Sequence, residues 1–154
     1  MPKTSESVGI HAKGEIGLPY LLEILKRNAD FRKAGAVATF TGVVRGFTSE
    51  GKTVTKLEYQ VYEEKALQSL EKIRADLLAM PGIVEVMIHH LIGSFSAGEE
   101  VVYVIVAGRS RADVFPVLER AIERLKLETP IWKKEYTIDD SYWVGERMRQ
   151  TVER

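Results

Sequence analysis

The sequence predicts an α+β domain in which a mostly antiparallel sheet is covered by three main helices. Apolar residues recur at helical spacing in three stretches, and paired runs of β-branched and aromatic residues divide them, so the order reads helix, two strands, helix, two strands, helix, strand. Size agrees: 154 residues that are 45% hydrophobic can bury roughly 70% of the surface exposed when unfolded, enough for one core. A loose lead over residues 1–15 and a single domain over 16–150 are expected.

Residues 1–15 are rich in Ser, Thr, Lys and Gly and have little periodicity, which reads as a loose lead or an edge segment. Pro19 then opens a helix with Leu18, Leu22, Leu25 and Ala29 on one face, expected to end between Arg32 and Gly35. Ala36–Val44 and Val54–Tyr62 read as strands, and the polar segment GFTSEGKT between them reads as an extended hairpin or a flap. Glu63–Met80 places Ala66, Leu70, Ile73 and Leu77 at helical spacing and is stopped by Pro81-Gly82. Val84–Leu91 and Val101–Ala107 form a second antiparallel pair around a turn at Gly93–Glu100. Phe115, Leu118, Ile122 and Leu125 mark a third helical stripe. Pro116 favours a start near Asp113 over one at Ser110, although Ser110-x-x-Asp113 has the form of a capping box. Pro130 ends that helix, and Ile131–Tyr136 reads as a last strand.

Composition narrows the chemistry. The absence of cysteine removes disulfides, thiolate metal sites and a cysteine nucleophile. With 22 Lys+Arg against 22 Asp+Glu there is no global pull toward nucleic acid or an anionic membrane, so any anion site is local. The polar N-terminus has no signal-like apolar stretch and there is no apolar run long enough to span a bilayer; a cytoplasmic protein is the expectation. Nucleotide-loop, zincin and α/β-hydrolase motifs are missing. His89 and His90 are neighbours on a strand, so they point to opposite faces, one packed and one exposed, and do not share a metal.

Basic residues near element ends are the remaining candidates: Arg45, Arg111, Lys126, Lys133 and Lys134. Most such residues on a domain this size solvate its surface. Lys126, at the edge of an apolar stripe, and Lys133, next to Trp132 in PIWKKE, stand apart. Cations packed together and partly desolvated lower one another's pKa toward the range of acid–base or amine chemistry, and an arginine nearby suits capture of a phosphate. The residues by themselves describe an anion-binding cleft with one or two reactive lysines.

FTGVVRG at 40–46, KLEYQVYEEKA at 56–66, HHLIG at 89–93, GEEVVYV at 98–104, SRADVF at 110–115, LKLETPIWKKE at 125–135 and WVGER at 143–147 together resemble the MoaE family, the catalytic (large) subunits of molybdopterin synthase. PIWKKE, with a lysine seven residues upstream of its first lysine, is the most specific block. The resemblance implies an α/β-hammerhead-type fold and sulfur transfer to cyclic pyranopterin monophosphate (precursor Z), forming the dithiolene of molybdopterin. The sulfur donor it implies is the C-terminal thiocarboxylate of a small ubiquitin-like MoaD-type partner, in a heterotetramer built on a homodimer of the large subunit. No cofactor is bound by this subunit in that scheme; the substrate itself is a pterin phosphate.

Residue by residue, the resemblance implies that Val43, Val44 and Arg45 contact substrate, with Arg45 on its anionic part. Arg111, preceded by Ser110, would enter the site from the second large subunit. It makes Lys126 the acid–base or covalent residue and gives Lys133 the positioning of substrate and tail carboxyl. Lys134 and Glu135 complete the wall, Arg147 joins the same pocket, and Phe40 packs nearby. Ser110 stands where the family commonly has histidine and Leu91 where it commonly has arginine. A divergent binding or regulatory module is therefore the competing reading, and a nucleic-acid or phosphate-compound binder is weakened by the zero net charge and 8% aromatic content.

Overall fold

The computed structural model describes residues 5–144. Seven strands and three α-helices follow in the order β1 (Val8–Ala12), α1 (Leu18–Lys26), β2 (Ala36–Val43), β3 (Val54–Val61), α2 (Glu63–Leu78), β4 (Ile83–Phe95), β5 (Glu100–Gly108), α3 (Arg111–Glu128), β6 (Ile131–Thr137) and β7 (Ser141–Trp143). The sheet runs β2-β5-β4-β3-β6-β7, every pair antiparallel except β1, which lies parallel to β4. α2 covers β1 and β4 while α3 covers β5 and β2. The α+β class and the three helices stand as predicted.

β4 organises the molecule. Its residues 83–90 pair with β5 and 88–92 with β1, while Gly93, Ser94 and Phe95 pair with β3. The change of partner falls at Gly93, whose φ of +119° excludes ordinary side chains. The strand therefore runs four residues beyond its predicted end at Leu91. β2 and β3 do not form a hairpin with each other. β2 pairs with β5 and β3 with β4 and β6, and the connecting arm closes on itself through a bridge between Phe47 and Thr53.

Of the two readings of the N-terminal segment, a loose lead or an edge segment, the structure has the second: β1 pairs with β4 alone. Val8 and Ile10 are buried in the core, and residues 8–12 register against Ile88–Ile92. Two inward apolar residues suffice to seat so short a strand, and the polar residues around them mask the signal.

α1 ends earlier than predicted because Asn28 leaves the helix pattern. Its Oδ1 accepts the Asp30 N–H at 2.8 Å and its Nδ2 donates to Glu85. Phe31–Lys33 is a separate 3₁₀ turn. α2 buries Ala66, Leu67, Leu70, Ile73 and Leu77, matching its predicted stripe. In α3 the buried residues are Val114, Val117, Ala121 and Leu125, and Phe115 is 59% exposed. The predicted stripe is rotated by about one position because Leu118 and Ile122 are only boundary residues. The helix starts at Arg111 and tolerates Pro116 inside it, where the ring leaves the Ala112 carbonyl without its helical donor.

Candidate functional site

The site begins at β6. Strand alternation puts Ile131, Lys133, Glu135 and Thr137 on one face and Trp132, Lys134 and Tyr136 on the other. Lys133 faces Tyr59, its direct partner on β3. Burial pushes the Lys133 ammonium below the usual lysine range; the charges of Lys126 and Arg45 push it the same way, and Glu135 opposes them. Lys126, in the last turn of α3, and Arg45, just past the end of β2, thus act on the amine that β6 half-buries. Glu135 is held by the Tyr142 hydroxyl, which donates to its Oε1.

Arg45 is carried there by an irregular strand end. The register of β2 against β5 shifts between Gly42 and Val43, and such a bulge bends the strand and re-aims the residues after it. A Cβ on Gly42 would collide with the Val102 side chain, so the glycine allows the close approach. Val44 is buried, its N–H donating to the Glu99 carbonyl and its C=O accepting from Gly98, so it anchors the strand end and does not contribute a side chain to the cleft. Val43 is half exposed beside it.

Three expected residues do not converge with these within one chain. Lys134 is on the opposite face of β6, its Nζ 5.3 Å from the Tyr136 ring centroid and 5.5 Å from that of Trp143. Ser110 and Arg111 open α3 whereas Lys126 lies in its last turn, so roughly 22 Å of helix separates them at about 1.5 Å per residue. Arg147 lies outside the described residues. Phe40 packs against the core.

Both adjacent histidines are buried, in place of the packed-and-exposed pair expected, because β4 is covered on each face. Nε2 of His89 is 3.0 Å from the Glu6 carbonyl oxygen and its Nδ1 is 2.9 Å from Nε2 of His11. A carbonyl only accepts, so His89 carries its proton on Nε2 and His11 donates to Nδ1. Burial pulls both His89 and His90 down to about 4, the charges of His11 and Lys133 adding to the effect. A lowered imidazole pKa means that the unfolded chain takes up protons below 6.5 while the folded one refuses them until about 4. Stability should fall as pH drops through that window, by about 2 kcal/mol per imidazole at roughly pH 5, and level off below it. Urea midpoints of wild type and His89→Gln between pH 7 and pH 4 check this; an equally steep slope in the variant refutes the part assigned to His89.

Tyr59 and His90 line the site and escaped the reading of basic residues. The Tyr59 ring meets His90 edge-on, centroids 4.7 Å apart at 71°, and Phe95 at 5.9 Å. The available signal was the alternation in KLEYQVY, which places Tyr59 on the inward face with Leu57. Among the described residues no three His, Asp or Glu side chains gather as a metal cluster, and no helix is long and apolar enough to cross a membrane.

The α+β domain sets a partly desolvated lysine under the charges of a second lysine and an arginine, with Tyr59 and His90 beside it. The model of a family described as MoaE protein matches residues 19–128. A molybdopterin synthase catalytic subunit of Bacillus subtilis is 37% identical over 134 residues, covering 87% of this chain and 85% of that one. A probable molybdopterin synthase of Haloferax volcanii is 41% identical over 115 residues, and the match spans 74% of this chain but 44% of that longer protein. The crystal structure of molybdopterin synthase from Staphylococcus aureus superposes with a TM-score of 0.76 at 33% identity, covering 87% of this chain and 93% of that one. The chain belongs to the MoaE family.

Proposed function

We propose that the chain is the catalytic, large subunit of a molybdopterin synthase and that it transfers sulfur from the C-terminal thiocarboxylate of a small MoaD-type partner to precursor Z. The observation that carries this is the half-buried Lys133 with Lys126 and Arg45 acting on it, in a chain of this family. Precursor Z carries a phosphate and the partner's tail a thiocarboxylate, so both reactants are anions that three converging cations attract. Lys133, whose ammonium is destabilised, is the better group to give and take a proton, and Lys126 supports it by charge. The lack of cysteine agrees with sulfur arriving on the partner. The reaction is placed in the cytoplasm.

The length of α3 supports a homodimer within the heterotetramer. Ser110 and Arg111 cannot reach the Lys133 pocket of their own chain along a helix of this length, so a second copy delivers them. Ser110 donates from Oγ to Asp113 Oδ2 at 3.3 Å and therefore replaces only part of what a histidine offers there. Ser110→His is expected to leave turnover unchanged or raise it severalfold; a sharp fall measured at fixed partner concentration shows instead that the pocket is organised around serine.

The test of the function is a single-turnover reaction of the purified chain with precursor Z and a thiocarboxylated MoaD-type protein, reading molybdopterin as its fluorescent oxidised derivative. Molybdopterin is expected. Partner binding without product establishes the competing reading, a binding or regulatory module.

A further inference from the structure

His90 has no role in the scheme above, yet its imidazole is 6% exposed and its Nδ1 lies 2.7 Å from the Leu91 carbonyl oxygen. That contact settles the tautomer. The proton sits on Nδ1, and Nε2 of the neutral ring keeps its lone pair. Among the described residues no donor meets this Nε2. Nor is it sealed, since every fully enclosed side-chain nitrogen or oxygen among them has a partner. The lone pair therefore opens onto accessible space inside the fold.

Tyr59 joins His90 to Lys133, whose charge acts on the imidazole. Tyr59, which packs edge-on against His90, is the cross-strand partner of Lys133 on one side and of Gly93 on the other. Gly93 offers no side chain opposite Tyr59, and on its other side the Lys133 charge lowers the proton affinity of His90. The charged or titratable groups around Lys133 are Lys126 from α3, Arg45 from the end of β2, Glu135 on β6, Tyr59 on β3 and His90 on β4. Two of these repel the ammonium, and Glu135 already accepts from Tyr142. His90 adds an acceptor that carries no charge.

We propose that His90 is a positioning residue for Lys133: when an anion occupies the site, its free Nε2 lone pair accepts a hydrogen bond from the Lys133 ammonium and holds Nζ toward Lys126 and Arg45. An aspartate in this place would raise the amine's proton affinity and quench its reactivity, and an apolar residue would leave the chain undirected. A histidine kept neutral by burial directs it with little effect on charge. Hydrogen bonds of this sort are often long in the empty site and shorten when it fills.

The role rests on Lys133 acting in sulfur transfer, but its test does not need product. Reaction of Lys133 with an amine-acylating reagent is followed across pH by peptide mass spectrometry, with inorganic phosphate present to fill the cleft. His90→Phe, which keeps a ring and loses the acceptor, is expected to label about threefold faster below the midpoint, as follows from an ammonium that has lost about half a pKa unit of support. His90→Gln, which restores an acceptor, should return to within about twofold of wild type. In turnover, His90→Phe should lower kcat with KM little changed. Identical labelling in wild type and His90→Phe, or equal labelling of the Phe and Gln variants, overturns the proposal. If the Phe variant does not fold, His90→Met, of similar length and without a nitrogen lone pair, replaces it under the same criteria. Absence of molybdopterin with labelling as expected would count against the sulfur-transfer reading and leave the hydrogen bond standing.

Discussion

Lys133→Ala is expected to reduce molybdopterin formation by at least about a hundredfold at every pH, because it deletes the amine that moves the proton. Lys126→Ala is expected to be severe near neutral pH and to recover in part as pH rises. Lys126 lowers the Lys133 pKa through its charge, so removing it moves the useful range of the remaining amine upward. Single-turnover rates of both variants from pH 6 to 10 separate the roles. Recovery of Lys133→Ala at high pH, with none for Lys126→Ala, reverses the assignment and returns the acid–base role to Lys126. Neither change should cost much stability, since Lys126 is exposed and Lys133 sits at the rim of the core.

Glu85→Ala is expected to be the most destabilising single substitution outside the apolar core, by about 3–5 kcal/mol. The carboxylate is 6% exposed and receives Arg74 Nε at 3.0 Å and Nη2 at 2.7 Å, the Val86 N–H at 2.8 Å, and Ser7 and Asn28 each at 3.1 Å. It ties the segment before β1, the end of α1 and the middle of α2 to β4. Truncation removes the carboxylate partner of a guanidinium that keeps only the Val86 carbonyl at 3.1 Å and leaves three neutral donors without their acceptor, and that penalty exceeds the value of any one bond. Urea unfolding reads the loss. Glu85→Gln, which keeps the shape and one acceptor oxygen, should fall between wild type and the alanine variant; a cost below about 1 kcal/mol for alanine would show that the cluster is dispensable.

The helices were the most legible part of the chain because each is long enough for its period to repeat. α2 fell where Ala66, Leu70, Ile73 and Leu77 put it. α3 was rotated because Phe115, the largest apolar residue near its start, faces solvent, while the small Val114 and Ala121 do the packing. β1 was lost because five residues give a period of two little room to show itself. The partition of β2 and β3 between different neighbours was not legible at all, since pairing over long sequence distances leaves no local mark.

The candidate site was legible as a list of cations and not as a geometry. Lys126 and Arg45 both act by charge on Lys133. The alternation of IWKKEY by itself separates Lys133 from Lys134. Tyr59 and His90 were harder to foresee, because a buried tyrosine or histidine on a strand reads as core until its neighbours are known.

The adjacency of Lys133 and Lys134 on β6 has a consequence for how the chain evolves. A one-residue insertion at the Pro130 turn slides β6 by one place against β3 and turns it over. A lysine would still point into the cleft, so the cation most easily noticed would survive the accident. Its neighbours would become Trp132 and Tyr136 in place of Ile131 and Glu135, and the carboxylate would leave. Selection on this turn acts through Glu135 and the inward Thr137, and relatives that change the length of the turn should reveal it there, with the lysine pair unchanged.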